Sequence, residues 1–110
     1  MNNINKIIQE IRFREEVRFK VLEILKENFE KILNQLQKDE VFKNKELKLF
    51  NEQGKIGIIV KGMLYREIVL LEKEKVIETV LQNVGAEDAT EENIDSAVQH
   101  IIFQRLINKF

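Results

Sequence analysis

The chain has 110 residues, 44% hydrophobic and 34% charged, a composition that fits one folded domain and excludes a disordered chain. It contains no cysteine, which excludes disulfides, thiolate metal sites and thiol nucleophiles. A net charge of −1 excludes a global positive field for nucleic acid, and no apolar run approaches the ~20 residues of a membrane span, so we expect a cytoplasmic protein.

The first predicted element is a long helix over residues 4–38, a segment without glycine or proline. Such a helix extends ~50 Å, which is more than a domain with a radius of gyration of ~13 Å requires. We therefore expect part of it to protrude or to pack on a second chain. For its N-terminal half we favour helix pairing, whereas its C-terminal half is expected to lie on the protein's own sheet.

The apolar residues of this helix follow a three-and-four spacing, which Glu15 and Arg18 interrupt in the middle. The stripe consists of Ile4, Ile8, Ile11, Leu22, Leu25, Phe29, Ile32 and Leu36. A second apolar line lies on another side of the helix and consists of Phe13, Val17, Val21 and Ile24. The centre of the helix is therefore expected to be buried on two sides.

Residues 45–71 are predicted to form a three-stranded antiparallel meander, because alternating apolar residues are separated by turn residues at 51–54 and at Gly62. Several apolar residues also fall on the sheet face opposite the main one. These are Phe50 and Ile59, with either Val69 and Leu71 or Ile68 and Leu70. We take Phe50, Ile59, Val69 and Leu71 as a predicted dimer interface.

Two further helices are predicted, over residues 73–84 and 90–108, and the second has Asp88 or Thr90 as its N-cap. The chain is thus expected to form one α+β domain spanning residues 1–110, with the order long helix, meander, short helix and C-terminal helix. It contains no βαβ unit.

The sequence offers little for catalysis. His100 is the only histidine, so a metal site would need carboxylates as its other ligands, and we predict neither a metal nor a cofactor. Ser96, the only serine, lies four residues before His100 without an orienting acid one turn further on. Gly54, Gly57 and Gly62 do not precede a helix, so they do not resemble a phosphate-binding loop. We expect a protein that is not an enzyme.

Four basic residues stand close together where the apolar stripe is broken, namely Arg12, Arg14, Arg18 and Lys20. On a protruding pair of helices they could contact phosphates and release condensed counterions. The alternative is a mixed-charge helix surface, because nearby glutamates allow i,i+4 ion pairs of ~0.2–0.5 kcal/mol each.

Residues 54–62, with the sequence GKIGIIVKG, resemble the corresponding hairpin of the YbaB/EbfC family of bacterial nucleoid-associated proteins. The order of elements is also similar to that family, as is the segment from Asn93 to Arg105 in the final helix. The resemblance implies a dimer formed through the sheet, with projecting paired helices, that binds DNA in spite of a mildly acidic overall charge.

The leading hypothesis is therefore a homodimer that binds DNA largely without sequence specificity and resides in the nucleoid. Arg12, Arg14, Arg18 and Lys20 would contact phosphates, helped by Arg105 and Lys109. The alternative is a non-enzymatic protein-interaction module, such as a small secretion chaperone or a phage-encoded inhibitor. In that case Phe13, Phe19 and Phe103 would be contact residues.

Overall fold

The computed structural model describes residues 3–62, 64 and 66–108, and it confirms the predicted α+β order of elements. The elements are α1 (Asn3–Gln37), β1 (Glu46–Glu52), β2 (Lys55–Lys61), β3 (Arg66–Glu72), α2 (Lys73–Asn83) and α3 (Glu91–Asn108). Short 3-10 turns occupy Glu40–Phe42, after α1, and Ala86–Asp88, before α3.

Local side-chain chemistry sets the turn at β1–β2 and the start of α3. Gln53 and Gly54 both have positive φ, 56° and 74°, as a two-residue turn that follows the twist of a hairpin requires. The backbone N–H of Lys73 donates to the carbonyl of Gly54 at 2.9 Å, which ties this turn to the start of α2. Of the two N-cap candidates, Thr90 is the one used, since its hydroxyl accepts from the N–H of Asn93 at 3.2 Å.

The three strands form one antiparallel sheet in the order β1-β2-β3. Leu49, Ile58 and Val69 are paired across it and share one face, while Phe50 and Leu70 flank Gly57 on the other. The register between β2 and β3 shifts after Ile58, so that Ile59 pairs with Glu67.

The three helices cover one face of the sheet and enclose the core with it. The core consists of Val17, Val21, Ile24, Leu25 and Phe29 from α1, Ile56, Ile58, Val69 and Leu71 from the sheet, Val76, Ile77, Val80 and Val84 from α2 and the segment after it, and Ile94, Val98 and Ile102 from α3. One polar residue, Asn28, is buried among them, and its amide donates to Asp95 Oδ1 at 2.7 Å and to the carbonyl of Ile24 at 2.9 Å. The bond to Asp95 joins α1 to α3, and the two bonds together satisfy the buried amide.

The molecule is elongated, with extents of 63 × 25 × 23 Å and a radius of gyration of 16.6 Å. A compact chain of this length has a radius of gyration of about 13 Å. The excess arises from α1, in which Val17 is the first buried residue. Residues 3–16, called the N-terminal arm below, extend about 20 Å beyond the packed part of the helix.

We expect Gly57→Ala to lower the free energy of unfolding by about 1–3 kcal/mol, because an added Cβ overpacks the sheet. That Cβ would lie 2.0 Å from the carbonyl oxygen of Val69, so the two strands would have to move apart. Urea unfolding measures the change. Gly85→Ala is the matched control, since a Cβ there meets nothing within 4 Å. Equal stability of the two variants would contradict the close approach.

Candidate interaction site

The N-terminal arm presents an apolar stripe to solvent. Ile4, Ile7, Ile8 and Ile11 are between 45% and 64% exposed. At about 100° per residue, they fall within roughly 100° of one another around the helix, so they form one continuous face. Among the residues that the structure describes, the arm packs on its own core only through Phe13, which is half-buried. Among the described residues, the isoleucine stripe is therefore an exposed surface outside the packed core.

The stripe leads into a groove where the arm meets the body of the protein. Phe19, 63% exposed, and the half-buried Leu22 line this groove with Asn51, Ile56 and Lys73, and its volume is about 270 Å³. Beyond the groove the stripe is covered by the protein itself, since Leu25 and Phe29 are fully buried. The arm and the groove together form the largest run of exposed apolar side chains along α1, and we call them the arm surface.

The four basic residues of α1 do not form one cluster. Because two positions differ by about 200° around a helix, Arg12 and Arg14 lie on opposite sides, as do Arg18 and Lys20. Arg14 donates to Glu10 at 2.9 Å, and Lys20 stands near Glu23, Glu27 and Glu91. The structure thus brings Arg14 and Arg18 together on one side and leaves Arg12 and Lys20 on the other.

Arg18 forms a bidentate ion pair with Glu74 at the start of α2, and its Nη1 donates to Oε2 at 2.7 Å. The pKa of Glu74 is lowered chiefly by these hydrogen bonds, with the charge of Arg18 adding to the shift and desolvation opposing it. The same hydrogen bonds raise the pKa of Arg18. A phosphate approaching Arg18 would have to compete with a carboxylate that is already in place.

Of the two basic residues predicted near the C-terminus, Arg105 falls within the described part of the chain. Arg105 lines an open depression of about 380 Å³ together with Phe50, Ile59, Leu70 and Lys55 of the sheet. Lys109 lies outside the described residues. The structure therefore does not join Arg105 to the basic residues of the arm.

The predicted dimer interface on the sheet is wrong in two of its residues. Val69 and Leu71 point into the protein's own core, opposite Ile58 and Ile56, and Leu70 takes the outer position instead. On that outer face Ile59 is only 6% exposed, and Phe50 and Leu70 are half-buried. Dimerisation through this face stays a prediction, and the face offers less exposed apolar surface than the arm.

Other candidate residues are dispersed. Ser96 and His100 are exposed on the outer side of α3, and Phe103 borders an apolar groove of about 370 Å³ between α1 and α3. Within residues 3–62, 64 and 66–108, no three His, Asp or Glu side chains are grouped so as to hold a metal ion. Over the same residues, no helix combines the length and apolar character of a membrane span.

Two members of the arm surface were missed or given a minor role by sequence reasoning. The predicted stripe does not include Ile7, although its position three residues after Ile4 is a usable signal. Phe19 was named only for the alternative function. Its exposure depends on where the sheet ends relative to α1, which the local sequence does not encode.

Comparison of the chain with protein-family models, with curated proteins and with solved structures finds no match. Membership of the YbaB/EbfC family, inferred from residues 54–62, therefore stays a prediction.

The ion pair between Arg18 and Glu74 gives an expected dependence of stability on pH. An ion pair that lowers the pKa of a carboxyl group stabilises the fold fully when the pH is above the ordinary carboxyl pKa of about 4.3. This stabilisation is lost as the pH falls through the lowered pKa. The unfolding midpoints of the wild type and Glu74→Gln should therefore differ most near neutral pH and converge as the pH falls through the lowered pKa of Glu74. The difference should be small, because both side chains are substantially exposed.

The control for this measurement is Glu78→Gln, which removes an exposed carboxylate from the same helix. We expect thermal unfolding of this variant to follow the wild type at each pH. A pH-dependent difference as large as that of Glu74→Gln would contradict a specific contribution of the Arg18 pair.

Proposed function

We propose that this protein is a non-enzymatic interaction module whose working surface is the arm surface, docked against an apolar helical surface of a partner. One observation carries the proposal: four isoleucines lie about half-exposed or more on one side of a helix that projects from the body. Scattered exposed apolar residues are normal, but a contiguous row on a projecting helix is typical of helix-in-groove recognition.

The magnitude of burial supports the same choice. Burying an isoleucine completely contributes about 1.5–3 kcal/mol, so covering four half-exposed ones contributes roughly 3–6 kcal/mol before the costs of association. Phe19 adds to this value, because aromatic side chains carry a large contact area. Among the described residues, this is the feature with the most free energy to gain from a partner.

Phosphate binding by α1 has weaker support. Its basic residues lie on two sides of the helix, and two of them pair with glutamates of the same chain. A protein that neutralises several phosphates needs cations on one side, because each contact contributes through the counterions that it releases. DNA binding stays a separate prediction, tested by a variant of its own, Arg12→Glu.

The test of the arm surface is the double variant Ile8→Glu with Ile11→Glu, which places two charges in the centre of the stripe. In a nuclease-treated extract of its own cells, immobilised wild-type protein should retain partners, free copies of the same chain included, that this variant loses, because a buried unpaired charge is costly. Quantitative mass spectrometry of the retained proteins measures the loss. Circular dichroism checks that the variant is folded.

The matched control is Asn5→Glu with Gln9→Glu, which makes the same change of charge on the polar side of the arm. It should retain the same proteins as the wild type. If both double variants lose the partners equally, net charge and not the stripe determines binding, and the proposal is wrong.

A labelled random-sequence duplex tests the DNA alternative on the same samples. Binding that weakens at least about tenfold between ~50 and ~200 mM salt and is lost in Arg12→Glu, with the isoleucine variant unaffected, would favour the phosphate mechanism over the arm surface.

A further inference from the structure

We infer that the occupant of the arm surface is a second copy of this chain, bound antiparallel so that the first turn of each arm reaches the Phe19 groove of the other. The inference rests on the proposed function and goes beyond it by naming the partner and its direction. Three observations support it: where the exposed stripe ends along α1, how charged residues are placed on the arm, and how much apolar area the arm surface exposes.

The body of the protein limits how far a second helix can advance along the stripe. Asn51 and Lys73 of the body line the groove with Phe19, and Leu25 and Phe29 further along α1 are already buried. A partner helix can therefore cover α1 from its start only as far as Phe19 and Leu22. The exposed stripe thus ends in the groove that Phe19 and Leu22 line.

A second arm that binds antiparallel, and reaches as far as Phe19 and Leu22, places its own stripe against the stripe of the first chain. With Ile4 of one chain beside Leu22 of the other, Ile8 falls beside Phe19 and Ile11 beside Glu15, because positions along the two helices advance in opposite directions. Ile7 then lies over Arg18. The guanidinium of Arg18 is held by Glu74, so that its methylene stem can contact an isoleucine while its charge stays paired.

The charges of the arm favour the antiparallel direction over the parallel one. Parallel chains in register would set Glu15 against Glu15 and Arg18 against Arg18, which places like charges together in the middle of the stripe. In the antiparallel pair, equivalent sides of the two helices face each other. Arg12 of one chain then lies within about one turn of Glu16 of the other, and the opposite charges attract.

The area is also sufficient for two copies. The four isoleucines and Phe19 expose on the order of 500 Å² of side chain per chain, or about 1,000 Å² for a symmetric pair, which is near the lower bound for a specific interface. The sheet face would contribute little by comparison, since Ile59 is only 6% exposed. Both chains bury the same surface, as a closed twofold dimer requires.

The first experiment measures the mass of the full chain by sedimentation equilibrium over a range of concentrations. The wild type and the Asn5→Glu, Gln9→Glu control should form dimers of similar affinity. The Ile8→Glu, Ile11→Glu variant should have its dissociation constant raised by roughly a hundredfold or more, because four charges enter the interface of each dimer.

The second experiment determines the direction of the pair with single cysteines, which is straightforward because the chain has none of its own. Ile8→Cys and Phe19→Cys are mixed in equal amounts and oxidised. The antiparallel pair predicts that the mixed disulfide joining the two variants predominates, since only those positions come within disulfide reach. Gln9→Cys on the polar side of the arm should form no mixed disulfide with Phe19→Cys.

The outcomes separate this inference from the proposed function. A wild-type protein that stays monomeric, while the isoleucine variant loses partners from the extract, overturns the second copy and leaves the interaction module standing. Predominance of Ile8–Ile8 and Phe19–Phe19 disulfides overturns the antiparallel direction. A dimer whose affinity does not change in the isoleucine variant overturns both the inference and the arm surface itself.

Discussion

The length mismatch between α1 and its sheet governs the shape and the surface of this protein. A helix of 35 residues extends about 50 Å, whereas strands of seven residues extend about 23 Å, so the sheet can cover only part of the helix. The covered part, from Val17 to Phe29, contributes to the core together with the sheet, α2 and α3. The uncovered part keeps its apolar residues, and this combination of length and composition defines the candidate site.

The junction between these two parts joins three segments that are distant in sequence. The hairpin turn is bound to the start of α2 through Lys73 and Gly54, and α2 is bound to the middle of α1 through Glu74 and Arg18. The polar break in the apolar stripe is therefore occupied by a cross-link within the chain. What the sequence presents as an interruption is the place where the long helix is fixed to the body.

Much of the fold follows from sequence, because its signals are local. A segment without glycine or proline predicts α1, and the turn residues around Gly54 predict the hairpin. The face of β3 was not predictable in this way, since Ile68 to Leu71 are all apolar and a period of two cannot orient them. Their pairing with β2 orients them instead, since Val69 lies opposite Ile58 and Leu71 opposite Ile56. Likewise, the basic residues of α1 are close in sequence, which predicts a cluster. Their angular positions around the helix place them on two different sides.

The continuity of α1 has a consequence for how the arm is ordered. A free peptide of fourteen residues is marginal as a helix in water, because the first turn is costly to nucleate. In this chain the nucleus already exists in the packed segment that begins at Val17, and each arm residue needs only to extend it. The conformational entropy of the projecting helix is thus lost largely when the domain folds, and a partner meets a ridge that is already formed.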